Sequence, residues 1–474
     1  MRRKATRRLD DCLSVRGSQL FVEDCDATTL ARRFGTPCYV VSEDQLRRNV
    51  RRFREGFAQA WPEGPVHILP SIKANFTLAL LRILASEGTG FDTFGPSELR
   101  AALSSGADPS LISVNGSSKD KSLLEAAVRA GARVTLDSVE EARLVRRVAR
   151  DLKRRARVRF RLRPSYEGLD QPSDFYEDDT PIRVAAQQYK PGIPLADLIG
   201  LGPSILSARE VEVTGVMAHL GRHSADLDVW RGMVRSFVEA IDALSEAWDG
   251  WEPKEIDLGG GFATRRDPTG RLTARGANRS PEDFAPTVEA YAGALTGALR
   301  TELSRRGFSA NGKVLEVEPG RSLFADAGIH LTTVRHLKAQ DEPVARRWIE
   351  TDTTEMFLLD GIVEHNRWTP IATGRADEEA THTADVVGIS CGFDVIVPDA
   401  RLPDLVPGDV IAFLDTGAYQ DACANNFNGL PRPATILVHG HRAEVVKRAE
   451  AIEDVFLRDR IPARLRRTAP EVRR

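Results

Sequence analysis

The chain has 474 residues, more than one ordinary core accommodates, so two domains or a barrel with an appendage are expected. Its net charge of −2 supplies no global field for nucleic acid or a membrane surface, and 42% hydrophobic residues suit a soluble globular chain. No apolar run approaches the roughly 18 residues of a membrane helix, and the five cysteines (Cys12, Cys25, Cys38, Cys391, Cys423) lack CxxC spacing, which leaves neither a disulfide framework nor a metal site.

The first residues, "MRRKATRR", are basic, but "LDDCLSVRGSQL" is no signal-peptide core, so a cytoplasmic protein is expected. "SQLFVED" reads as a strand that joins a later β-domain. From about residue 36 to 330, apolar runs ("PCYVV", "VHILPSI", "GFDTF", "LISVNG", "RVTLDS", "RVRFRLRP", "VTGVMAHL", "EIDLGGG", "KVLEVEPG") alternate with helix-period stretches such as "LALLRILASEG" and "DKSLLEAAVRAG". This alternation predicts an α/β fold, a (β/α)8 TIM-like barrel, with a doubly wound open sheet as the alternative. Segment 165–188 is acidic and patternless, and reads as a lid or as disorder, composition favouring disorder. Beyond 330, short β-like runs divided by Pro, Gly and Asp predict an all-β domain. The expected organisation is 1–36 joining the β-domain, 37–328 barrel, 329–455 C-terminal β-domain and 456–474 basic tail.

Three strand ends carry chemistry. Lys73 in "SIKAN" sits where a barrel rim keeps its reactive groups. "DLGGGF" places Gly259, Gly260 and Gly261 where backbone N–H groups can approach an anion. "EVEPGRS" sets Glu318 three residues before Arg321. Each alone has an ordinary reading: a solvated lysine, a glycine turn, a surface ion pair.

The order Lys, His, GGG, E-P-G-R resembles the fold-type III pyridoxal-phosphate (PLP) decarboxylases, the group of diaminopimelate and ornithine decarboxylases. "FGTPCYVVSEDQLRRNV", "GFDTFGPSEL", "TLDSVEE", "FRLRP", "YKPGI", "AHLG" and "LPDLVPGDVIAFLDTGAYQDACANNFNG" follow in family order over nearly the whole chain. The resemblance implies that Lys73 holds PLP by its amine, that the three glycines, Arg321 and Tyr419 receive the phosphate, that Glu318 pairs with the pyridine nitrogen, and that His219 stacks on the ring. Asp92, Glu98, Arg161 and Lys190 fall on supporting positions. Cys391, in "GISCGFD", resembles the family cysteine that reaches in from a neighbouring subunit and protonates Cα, which implies a homodimer with shared sites.

The pattern breaks in three places. The acid expected after the cysteine is Gly392, and the run to Asp394 is one residue short, so an ammonium-bearing substrate loses a charge-assisted bond of roughly 1.5–3 kcal/mol. Asp394 itself reads as the structural aspartate of this motif. The serine expected after "HLG" is Arg222, followed by His223, which points to a cationic substrate pocket or a different phosphate donor. The stretch that supplies a substrate arginine and tyrosine reads "MFLLDGIVEHNRWTPI", with His365 and Arg367 nearby. These departures imply a specialised amino acid decarboxylase whose substrate has a neutral, acidic or bulky distal end. A racemase or epimerase, another Cα reaction, or a non-catalytic PLP carrier are the alternatives; single-barrel carriers lack a β-domain and its cysteine, and both are expected here.

Overall fold

The computed structural model describes residues 6–172, 180–221, 224–266, 285–364 and 366–466. Eight short strands, β1 (Val66–Ile68), β2 (Phe91–Thr93), β3 (Ile112–Val114), β4 (Arg133–Leu136), β5 (Ala156–Arg161), β6 (Val211–Met217), β7 (Glu255–Asp257) and β8 (Val314–Val317), pair in parallel. Their order is β1-β8-β7-β6-β5-β4-β3-β2, and a parallel bridge between Ser71 and Asp92 brings the two ends together. Pairing of β1 with β8 makes this a (β/α)8 barrel and removes the open-sheet alternative. The strands are short and mostly buried, yet β4, β5, β7 and β8 carry charged residues within them, Arg133, Arg159, Asp257 and Glu316. The helices carry their own stops: in Lys121–Ala130, Asp120 caps the Leu123 N–H and Gly131, at φ 81°, closes the last turn.

The second domain is a nine-stranded sheet built around the strand Gly328–Gln340. One barrel expectation is corrected here. "PCYVV" forms the strand Cys38–Ser42, which pairs antiparallel with Gly328–Leu331 and parallel with Ala434–Val438. The barrel therefore begins with the helix Glu43–Ala60, not at residue 37. All five residues of that strand are buried, so its apolar run looks like a barrel strand; pairing across nearly 300 residues decided its sheet. The N-terminal strands Leu13–Arg16 and Gln19–Val22 join this domain by packing. They form a separate four-stranded sheet whose Leu13, Val15, Leu20 and Val22 share a core with Ile329, Leu331, Val410 and Ala412.

Segment 165–188 is ordered where it is described. Tyr166, Leu169, Ile182 and Ala185 are buried, and Ile182–Gln188 is a helix. In these parts a few spaced apolar residues are packed away despite the acidic average. Asp174, Glu177 and Asp178, which a lid could have offered to the substrate, lie outside the described residues.

The seam between the domains contains Asp326. Asn49 donates to its Oδ1 at 2.7 Å and Gln45 to its Oδ2 at 3.3 Å. Burial, then the nearby Asp415, pushes its pKa up to about 7. A proton held more tightly in the folded state stabilises fully below the unfolded pKa near 4 and is lost as pH rises through 7. About 2 kcal/mol is expected to disappear over that range, discounted for the carboxyl's partial exposure. Asp326→Asn should therefore gain stability over the parent at pH 8.5 and not at pH 4. A pH-independent difference in unfolding free energy would show that Asp326 is already ionised at low pH.

Candidate active site

The C-terminal end of the barrel opens into a cavity of about 330 Å³, within the range of small-molecule pockets. Lys73 stands in a single 3-10 turn, Ile72–Ala74, just past β1, deep in the cavity but with its amine open to it. The second domain braces this turn. Tyr419 N–H donates to Ala74 O at 2.6 Å, Asn75 Nδ2 to Gly417 O at 3.1 Å, and Thr77 Oγ1 to Asp421 at 3.0 Å. Tyr419, at φ 68°, starts a short helix, and its hydroxyl lies 3.3 Å from where a Cβ on Gly320 would stand. A side chain at 320 would crowd that hydroxyl.

Around Lys73 the cavity is lined by Arg161, His219, Gly261, Glu318, Gly320, Arg321 and Tyr419. Asp92 stands behind it, accepting from Ser71 Oγ at 2.5 Å and from Asn115 Nδ2 at 2.7 Å. Burial opposes the Lys73 ammonium, yet Tyr419, Asp92, Tyr189 and Glu318 outweigh it and raise its pKa above the ordinary lysine value. Glu318 lies at the floor, buried, accepting from Asn115 at 2.5 Å and Arg159 at 3.1 Å. Burial, then Asp257 and Asp92, holds its carboxyl well above the usual range. Glu98 caps the Phe94 N–H at 2.7 Å, and burial, with Asp92 adding to it, pushes its pKa up to about 7.

The glycine loop works differently from a simple nest of donors. Gly259 N–H is taken by Asp257 at 2.7 Å and Gly260 N–H by His219 Nδ1 at 3.2 Å. A Cβ at Gly260 would meet Glu318 O at 2.2 Å, and one at Gly259 would meet His219 Cα at 2.7 Å. These two glycines thus pack the loop against His219 and β8 and orient the imidazole, and only Gly261, at φ 95°, reaches the cavity. Arg321 lies over the Tyr419 ring at 4.5 Å, with Nη1 paired to Asp360.

Among the described residues, the remaining expected positions do not meet at this cavity. Lys190 and Arg367 are exposed and outside its lining. Arg222, His223 and His365 lie outside the described residues. Cys391 is exposed on a loop of the second domain; Asn428 accepts its N–H at 2.9 Å and donates to its sulfur at 3.4 Å. Asp394 organises that loop, buried and accepting from Glu355 N, Ser390 N and Thr354 Oγ1 at 2.7, 2.6 and 3.1 Å.

Sequence reasoning missed Tyr166, Tyr189, Asp360 and Glu364 in the lining. Tyr166 comes from the acidic segment and Asp360 and Glu364 from the stretch whose motif is lost, where no spacing marked them; Tyr189 opens "YKPGI", where only Lys190 was singled out. It also missed Glu355. Its Oε1 lies 3.6 Å from where a Cβ on Gly392 would stand, so a carboxylate does stand beside Gly392, supplied by another segment. Burial, then Asp394, raises the Glu355 pKa.

These side chains fit pyridoxal phosphate: an amine for its aldehyde, a backbone loop with an arginine and a tyrosine for its phosphate, and a buried carboxyl for its ring nitrogen. The family model of the pyridoxal binding domain of pyridoxal-dependent decarboxylases matches residues 43–325. The chain is 28% identical over 449 residues to a diaminopimelate decarboxylase of Archaeoglobus fulgidus, which covers 94% of this chain and 97% of that protein. The crystal structure of a diaminopimelate decarboxylase from M. jannaschii superposes with a TM-score of 0.85 at 26% identity, over 96% of this chain and 99% of that one. A second structure of that enzyme, in complex with L-lysine, gives a TM-score of 0.84 at 25% identity over the same shares.

Proposed function

The chain belongs to the pyridoxal-dependent decarboxylases, and on that premise we propose that it removes the α-carboxylate of an amino acid as a specialised relative of the diaminopimelate decarboxylases, in a cytoplasmic homodimer with shared active sites. The convergence of Lys73, His219, Glu318 and Tyr419 on one cavity carries this reading. No helix among the described residues is long and apolar enough to cross a membrane, which is consistent with it.

When bound, pyridoxal phosphate supplies an aldehyde that captures the substrate amine and a ring that takes up the electron pair left by departing CO2. Lys73 would hold the cofactor by its aldehyde through the side-chain amine. Gly261, Arg321 and Tyr419 would receive its phosphate, and His219, held by Gly259 and Gly260, would lie against its ring. Glu318 would pair with the ring nitrogen and favour a proton there. Cys391 of the partner subunit returns a proton to Cα, which makes the product an amine.

The test is a panel of amino acids added to the PLP-loaded protein, with CO2 and amine measured together. CO2 with stoichiometric amine supports decarboxylation; loss of optical activity without CO2 would mean a racemase, and no change in any substrate a carrier. Within the panel, diaminopimelate, lysine and ornithine are expected to show kcat/KM about tenfold or more below a substrate with a neutral or acidic distal end, since Gly392 offers no carboxylate to an entering ammonium. Glu355 sets the alternative. Efficient turnover of a diamino acid, abolished in Glu355→Gln, would show that this carboxylate has taken over the missing role.

A further inference from the structure

A (β/α)8 barrel is ordinarily filled by layers of bulky branched side chains. This one is threaded by charge. Arg133, Arg159, Asp257, Glu316 and Glu318 are all buried inside it. Arg133 Nη2 meets Glu316 Oε2 at 2.6 Å, and Arg159 Nη1 lies 2.5 Å from both Glu316 Oε2 and Asp257 Oδ2, the latter out of line for a hydrogen bond. Arg159 Nη2 donates to Glu318 Oε1 at 3.1 Å, and its Nε to Thr135 at 2.7 Å. At the far end His67, partly exposed, approaches Glu316 Oε1 at 3.3 Å. Below these, Arg133 and Arg157 pair with Glu255 at 2.7 and 2.9 Å. A continuous ionic chain thus runs from the closed end of the barrel to the floor of the active site.

Such an interior is a poor way to gain stability, since apolar side chains of the same volume usually serve as well or better. Its charge count is uneven: among the fully buried members, three carboxylates face two guanidiniums. The groups turned toward Glu318 are Arg159 from β5, Asn115 after β3, Asp92 from β2, Asp257 from β7 and Lys73 after β1.

We propose that Arg159 and Glu316 are positioning residues for the reaction: Arg159 aims Glu318 at the ring nitrogen of the cofactor, and the surplus negative charge that Glu316 brings to the core keeps that nitrogen protonated. The inference rests on the reading of Glu318 as the ring partner. Burial alone would favour neutral Glu316, but Arg133, His67 and Arg159 outweigh it and hold Glu316 ionised well below the usual carboxylate range. Burial raises Asp257 against the pull of Arg159. The surplus negative charge is therefore felt at Asp257 and Glu318, where a proton is wanted.

The test is 15N NMR of ring-labelled PLP bound to the full-length protein, read as the pH at which the ring nitrogen loses its proton. Glu316→Gln leaves two charges of each sign and should lower that pH by about one unit or more. Its kcat should fall about tenfold with KM within about twofold, because only the reacting state uses the protonated ring. Glu316→Asp keeps the charge and should titrate like the parent. Arg133→Gln changes the count the other way and should raise the midpoint; it carries the test if Glu316→Gln does not fold. Variants that titrate like a protonated parent, or both move in one direction, would overturn the charge count. A ring nitrogen unprotonated in the parent at neutral pH would overturn the assignment of Glu318 and this proposal with it.

Discussion

Lys73→Ala is expected to bind pyridoxal phosphate without a covalent bond and to decarboxylate on the order of 10⁴-fold more slowly, the upper end of what one positioned side chain contributes, because the amine that holds the cofactor is gone. Borohydride treatment of the loaded parent should fix the cofactor on the peptide containing Lys73. Other lysines are poorly placed. Lys190 is exposed off the cavity, and Lys119 is buried in a pair with Glu141 at 2.8 Å. Lys73 alone among these lines the cavity, in a turn clamped by Tyr419, Asn75 and Thr77 to the second domain. Tyr419 first, then Asp92, Tyr189 and Glu318, favour a cation at its amine, so the cavity is prepared for positive charge before any ligand arrives. A label on Lys190, or an undiminished Lys73→Ala enzyme, would refute the assignment. An exogenous amine that partly restores Lys73→Ala would separate loss of the amine from loss of the fold.

Mixing Lys73→Ala with Cys391→Ala, each inactive alone, should restore activity. If each site takes its lysine from one subunit and its cysteine from the other, a mixed dimer has one intact site and one doubly defective site. Random exchange then gives about a quarter of parental activity, since half the dimers are mixed. The reason lies in what the isolated chain exposes. Cys391 is absent from its own cavity lining, and Phe393 beside it is 98% exposed, with Ile389 at 49%. On the barrel face next to Lys73, Phe76, Leu78 and Phe94 are also exposed, at 40%, 58% and 44%. Apolar side chains left bare on two faces fit a second copy covering them. Exchange demonstrated with tagged subunits but without recovered activity would refute the shared site.

Much of the barrel was legible because its eight strands repeat one local rule: an apolar run, a reactive or turn-forming end, then a helix with its own cap. The site residues that sit at those strand ends, Lys73, Glu318 and Gly261, were legible for the same reason. Asp360, Glu364 and Tyr189 were not, since they reach the cavity from the ends of two short helices, Asp360–Val363 and Ile182–Gln188, outside the strand-end rule. Gly259 and Gly260 were identified as a site feature but misread in role: only the packed structure shows that their N–H groups serve Asp257 and His219.

The sequence by itself determined the fold class and the family resemblance, because residue type and short-range spacing suffice for each. Tertiary structure alone decided three matters. It assigned Cys38–Ser42 to the second domain, since burial on all five positions reads the same in either sheet and only hydrogen-bonded partners nearly 300 residues away distinguish them. It placed Glu355 beside Gly392, supplying from one loop a carboxylate that the neighbouring one lacks. It gathered Arg133, Arg159, Asp257 and Glu316 from four strands into one buried chain. Each charge in its own strand looks like a solvent-facing residue, and only closure of the barrel turns them inward together.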